Sequence, residues 1–81
     1  MKNMETFEIT LTDSDGSVIR KKEFSENEKE KALDFWSNTY RIYLSRRYNA
    51  KITESNKNCL KVVLNQSDKH RVYLELVRSI S

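Results

Sequence analysis

The chain contains one histidine and one cysteine, His70 and Cys59. A nucleophile needs a base within hydrogen-bond reach, and a zinc site needs three or four ligands at accepted spacing. Neither condition is met. Cys59 opens an apolar run, His70 stands in the polar stretch Asp68-Lys69-His70-Arg71, and no neighbour orients the imidazole. Asp13-Ser14-Asp15-Gly16 begins like a calcium loop but lacks the third ligand before the glycine and the closing glutamate, so it reads as a turn. A single glycine in the whole chain leaves no glycine-rich phosphate loop. No catalytic residue, metal ligand or cofactor is expected, and the residue types point to a binding protein rather than an enzyme.

Side chains suited to binding concentrate from Tyr40 to Lys51, where Arg41, Arg46, Arg47 and Lys51 alternate with Tyr43 and Tyr48. Arginine and lysine neutralise phosphates, and tyrosine stacks on unpaired bases. Tyrosine, tryptophan and arginine are also the residues enriched at protein–protein hot spots. The candidate binding residues are therefore Trp36, Tyr40, Arg41, Tyr43, Arg46, Arg47, Tyr48 and Lys51. On a helical wheel Arg41 points nearly opposite Arg46, so the four cations do not form one stripe. Arg46 and Arg47 also have a plain structural use, because cations complement the carbonyl end of a helix.

These residues need a helix to carry them. Ser25-Glu26-Asn27-Glu28 has the form of a capping box, with Phe24 placed as a hydrophobic staple. The helix is expected to run from Glu26 to about Tyr48, with Asn49 as its stop. With Ala32 as origin, Leu33, Trp36, Tyr40, Tyr43 and Leu44 form one stripe, which Phe35 and Ile42 widen to roughly 200°. A helix lying on a sheet needs little more than about 100°. The surplus is expected to be either amphipathic rim or a contact surface.

The helix in turn needs a sheet. Phe7 to Thr12 alternates apolar and polar residues, and Asp15-Gly16 marks a hairpin into a second, charged strand from Val18 to Phe24. Leu60 to Leu64 reads as a buried strand, and Val72 to Val77 as the cleanest alternation in the chain. Ser55-Asn56-Lys57-Asn58 reads as loop and Gln66-Ser67-Asp68-Lys69 as turn. The expected fold is α+β: an antiparallel sheet of four strands, or five if Ile52 opens one, in the order β-β-α-(β)-β-β and packed on one long helix. Its outer face is expected to present Glu8, Thr10, Arg20, Lys22, Lys61, Tyr73 and Glu75 to solvent.

The 81 residues correspond to one domain, 1–81, with no proline and no linker-like stretch. No apolar run is long enough to span a bilayer, and the polar start carries no export signal, so a cytoplasmic location is expected. Charge is uneven. Residues 1–34 hold six Lys/Arg and nine Asp/Glu (−3), residues 35–81 nine and three (+6), and no acid lies between Phe35 and Thr53. The leading expectation is a small binding protein that acts on another protein. The Lys/Asn-rich, Gly/Pro-poor style is similar to that of small proteins of low-GC bacteria, their phages and mobile elements, many of which inhibit a host or defence protein. The alternative is a nucleic-acid-binding domain using the basic C-terminal end of the helix, and a homodimer through the aromatic face is a further option.

Overall fold

In the computed structural model, which describes residues 4–67 and 69–80, five strands form one antiparallel sheet: β1 (Glu5–Asp13), β2 (Val18–Ser25), β3 (Asn49–Asn56), β4 (Cys59–Ser67) and β5 (His70–Ile80). A short 3-10 turn (Glu26–Glu28) leads into the helix α1 (Lys29–Ser45). Strand order across the sheet is β2-β1-β5-β4-β3. The helix follows β2 and precedes β3, which are the two edge strands, and it packs against β2, β1 and β5 while all eight residues of β3 stay exposed.

Alternation builds the core. Phe7, Ile9 and Leu11 of β1 face the helix beside Val72 and Leu74 of β5, then Val62 and Leu64 of β4. Phe24 closes the β2 side, and Ala32 is the one fully buried helix residue. A small side chain there lets the helix backbone approach the strands closely. Trp36, Tyr40, Tyr43 and Tyr48 pack around this core while keeping one edge in solvent.

The expected helix start is present. The Ser25 amide donates to Glu28 Oε1 at 3.1 Å, and the Ser25 hydroxyl donates to the same oxygen at 3.0 Å. These two bonds hold the Glu28 carboxyl below its ordinary range. The β1–β2 hairpin also forms as expected, with Gly16 at φ +90° and its amide bonded to Asp13 O at 3.0 Å.

The helix end differs. α1 stops at Ser45 rather than near Tyr48, because Arg47 adopts φ +68°. The Tyr48 amide donates to Tyr43 O at 3.1 Å and the Arg47 amide to Leu44 O at 3.0 Å. That pattern is a Schellman motif with arginine where glycine is usual. Its customary apolar contact is the edge-to-face pair Tyr43–Tyr48, with ring centroids 5.0 Å apart. Gln66 Nε2 donates to Arg46 O at 2.8 Å and ties the helix end to β4.

Two further expectations are corrected. The fifth strand exists and is eight residues long: β3 covers Ser55 and Asn56 as well, and only Lys57-Asn58 turns between the partners Asn56 and Cys59. Arg20 and Lys22 lie on the helix side of the sheet, not the outer face. Phe24 points inward, and residues two and four positions before it must share its face. Lys22 Nζ lies 5.2 Å and the Arg20 guanidinium carbon 5.7 Å from the Phe35 ring centroid. The turn expected at Gln66 to Lys69 becomes the β4–β5 hairpin, of which Asp68 lies outside the described residues.

Candidate binding surfaces

The aromatic half of the expected site is largely spent on folding. Trp36 stacks on Tyr40 with centroids 5.3 Å apart and planes 11° from parallel, and both rings pack against the core. Tyr43 and Tyr48 seal the helix cap. All four are half-buried. Trp36 Nε1 is screened from solvent and has no hydrogen-bond partner among the described residues.

The cationic half is free. Arg41, Arg46 and Arg47 are exposed, and no ion pair among the described residues includes them. The Arg46 guanidinium carbon lies 5.7 Å from the Tyr43 centroid, an arrangement that orders the side chain without neutralising it. Between and beside these cations stand Ile42 at 49% exposure and Leu44 at 40%. Helical geometry puts Arg41 outermost, with Ile42 and Leu44 on its two flanks. The last turn of α1 is thus an apolar–cationic–apolar surface.

Lys51 does not join this cluster. It is registered against Val63, whose neighbour Val62 faces the core, so Lys51 points from the opposite face of the sheet. There it meets residues the sequence did not reveal. Asn49, Asn65 and Arg71 are successive register partners across β3, β4 and β5, and with Lys51 and Val63 they line a depression of about 410 Å³. Asn65 and Arg71 bracket the polar hairpin and look like its flanks. Counting alternation back from Val63 and Tyr73 is the only sequence signal that sets them on one face.

Elsewhere on the outer face two opposite-charge pairs form, and Glu23 joins no ion pair among the described residues. Lys61 Nζ is 4.0 Å from Glu75, its register partner, and Lys21 Nζ is 3.7 Å from Glu8. Among the described residues, no group of three His, Cys, Asp or Glu side chains is placed to hold a metal ion. Cys59 and His70 lie at opposite ends of the β4–β5 ladder, opposite Val77 and Ser67, which is roughly 25 Å of strand. Burial, with Glu54 beside it, pushes the Cys59 thiol above its ordinary range, away from the thiolate. His70 instead shares a 3.1 Å hydrogen bond with the Ser67 hydroxyl. The Asp13–Gly16 segment is held as a turn: the Ser17 hydroxyl and amide bind the Asp15 carboxylate and hold it below its ordinary range.

No helix of the described residues is long and apolar enough to cross a membrane. Fold and surface together define a small α+β domain, one helix on a five-stranded antiparallel sheet. Comparison with protein-family models, with curated protein sequences and with solved structures finds no match.

Proposed function

We propose that the protein is a non-catalytic binding module that engages an acidic partner protein through the last turn of α1 and its cap. The observation that carries this reading is the mixture on that turn: Ile42 and Leu44 half-exposed beside Arg41, Arg46 and Arg47, none of which is ion-paired among the described residues. A phosphate backbone would satisfy the arginines but leave both aliphatic side chains in water. An acidic protein surface with apolar patches satisfies both, since desolvated apolar contact supplies affinity and complementary charge supplies orientation. Self-association through the same turn would bring arginine against arginine across a two-fold axis, which opposes a homodimer there. Arg47 adds support. It occupies a left-handed position that glycine fills at lower cost, and a contact of its side chain with the partner would account for an arginine there.

The test is affinity capture with the intact protein, identification of the captured protein, and titration of the purified pair. Arg46→Glu with Arg47→Glu, and separately Leu44→Asp, should each weaken binding about tenfold or more, while Lys57→Glu at the far end of the sheet should not. A captured ligand that nuclease removes, or a protein partner that binds the double variant as tightly as the parent, overturns the proposal.

A further inference from the structure

The open edge of β3 carries an inference separate from the helix end. β3 is an edge strand, and all eight of its residues are exposed. An edge strand offers a row of unpaired N–H and C=O groups. Ile52, near its middle, is 62% exposed, the most of any large apolar side chain among the described residues. The strand is not regular. Ile52 pairs with Val62 and Glu54 with Lys61, so Thr53 is an extra residue, a β-bulge. Residues three apart on a regular strand face opposite sides. Here the bulge turns Glu54 to the side of Lys51: their register partners, Lys61 and Val63, flank the buried Val62 and both project from the outer face. Lys51 and Glu54 are both exposed, and neither joins an ion pair among the described residues. Asn56 Nδ2 donates to the Glu54 carboxylate at 3.3 Å.

Opposite charges on one face of an open strand, with a bulge between them, are self-complementary. We propose that β3 pairs antiparallel with β3 of a second copy about a two-fold axis, extending the five-stranded sheet of each copy into one continuous sheet. An axis between Ile52 and Thr53 sets Lys51 opposite Glu54 of the second copy, Ala50 opposite its Ser55 and Asn49 opposite its Asn56. Within each of these pairs the two side chains share a face, and symmetry forms the Lys–Glu pair twice. The two Ile52 side chains meet beside the axis on the helix side. The bulge selects the occupant. It ordinarily protects an edge, because a regular strand falls out of step with it. A strand with the same extra residue at the axis stays in step. The other edge, β2, is unsuited, since pairing centred on Arg20-Lys21-Lys22 sets like charges against each other. Antiparallel pairing also puts the two Arg46–Arg47 clusters at opposite ends of the dimer, so both stay open to the proposed protein partner. One short strand buries little area, which makes the dimer a weak one that dissociates on dilution.

Sedimentation equilibrium of the intact protein at low salt, up to about 1 mM, tests the pairing. The parent should be a monomer when dilute and a dimer at the upper end, with a dissociation constant in the high micromolar range. Lys51→Glu and Glu54→Lys should each weaken the dimer about tenfold, since each turns two opposite-charge pairs into like-charge ones. The two changes together restore the complementarity and should bring the constant back to within about threefold of the parent's. Hydrogen exchange needs no variant and therefore decides the matter if a charge reversal unfolds the chain: β3 amides should gain protection with concentration, and β2 amides should not. The inference is overturned by a chain that stays monomeric at about 1 mM, by single reversals that leave the constant unchanged, by a double variant as weak as the singles, or by concentration-dependent protection that misses β3. Arg46→Glu with Arg47→Glu should leave the dimer intact, and the helix-end proposal is tested with the chain diluted below the dimer constant, so the two fail independently.

Discussion

At the scale of single residues, Arg47 carries a cost that the fold does not need. A non-glycine residue in the left-handed region is disfavoured by about 1–2 kcal/mol. Arg47→Gly keeps the cap geometry, and once glycine's entropic cost of about 0.5–1 kcal/mol is set against the relief, a net gain of about 1 kcal/mol or less should raise Tm by up to roughly 4–8 °C for a domain of this size. The same change should weaken capture of the proposed partner, because the guanidinium is gone. Calorimetry and binding on one variant separate the two effects, and a Tm that does not rise would show that the cap is not strained. Glu28 gives a second test. Its folded carboxyl titrates below its ordinary value of 4.5, chiefly because the Ser25 amide bonds it and secondarily because the Ser25 hydroxyl does. A lowered folded pKa means stability that is present above 4.5 and lost as pH falls through the folded value. Glu28→Gln should flatten that acid limb of the urea midpoint against pH and leave the slope above about pH 6 unchanged. An acid limb identical in the two proteins would mean the capping box does not set it.

At the scale of elements, what could be read from the chain depended on how much local chemistry marks each boundary. The helix start has three markers in Phe24, Ser25 and Glu28, and it lies where they place it. The helix end has one, Asn49, and it misleads, because Asn49 already opens β3 two residues past the actual stop. Its stop is the backbone angle of Arg47, and arginine does not signal a left-handed residue as glycine or asparagine would. β3 was equally hard to read, because all eight of its residues are exposed and no buried face imposes a period of two. The site followed the same logic. Arg41, Arg46 and Arg47 share the helix end as the sequence suggests, whereas the placing of Lys51 on the same sheet face as Arg71 depends on strand register, which only the paired partner sets. The position of the helix has an energetic consequence for neighbouring strands. Leu64 and Ile52 project from the same face of β4 and β3, yet Leu64 is 0% exposed and Ile52 is 62% exposed. Leu64→Ala should cost about 2–5 kcal/mol in chemical denaturation, and Ile52→Thr, which keeps the β-branch, should stay within about 0.5. A large loss from Ile52→Thr would mean that α1 or its cap covers β3 in solution.

At the scale of the whole molecule, charge and shape act together. The fold is elongated, 48 × 21 × 21 Å, with both hairpins β1–β2 and β4–β5 and the α1 cap at one end. Arg46, Arg47, Lys69 and Arg71 therefore share that end with the fewer carboxylates of Asp13 and Asp15, while Lys57 and the Glu5–Arg78 ion pair lie at the other. A net charge of only +3 conceals this concentration. Clustered exposed charge orients an approaching partner before contact and does so over a distance that salt shortens, from about 30 Å at 0.01 M to about 8 Å at physiological ionic strength. Buried apolar contact acts later, once the surfaces have met. The two contributions should therefore separate kinetically in the proposed protein complex. The association rate constant should fall about tenfold or more between roughly 0.02 M and 0.2 M salt, with the dissociation rate changing about twofold or less. Arg46→Glu with Arg47→Glu should lower the association rate and flatten its salt dependence. Leu44→Ala should leave association nearly intact and speed dissociation, because it removes contact made only in the docked complex without changing the charge. Stopped-flow measurement of all three proteins against the same partner decides the matter. An association rate insensitive to salt in the parent would mean that the cationic end does not steer binding and that the partner meets another face.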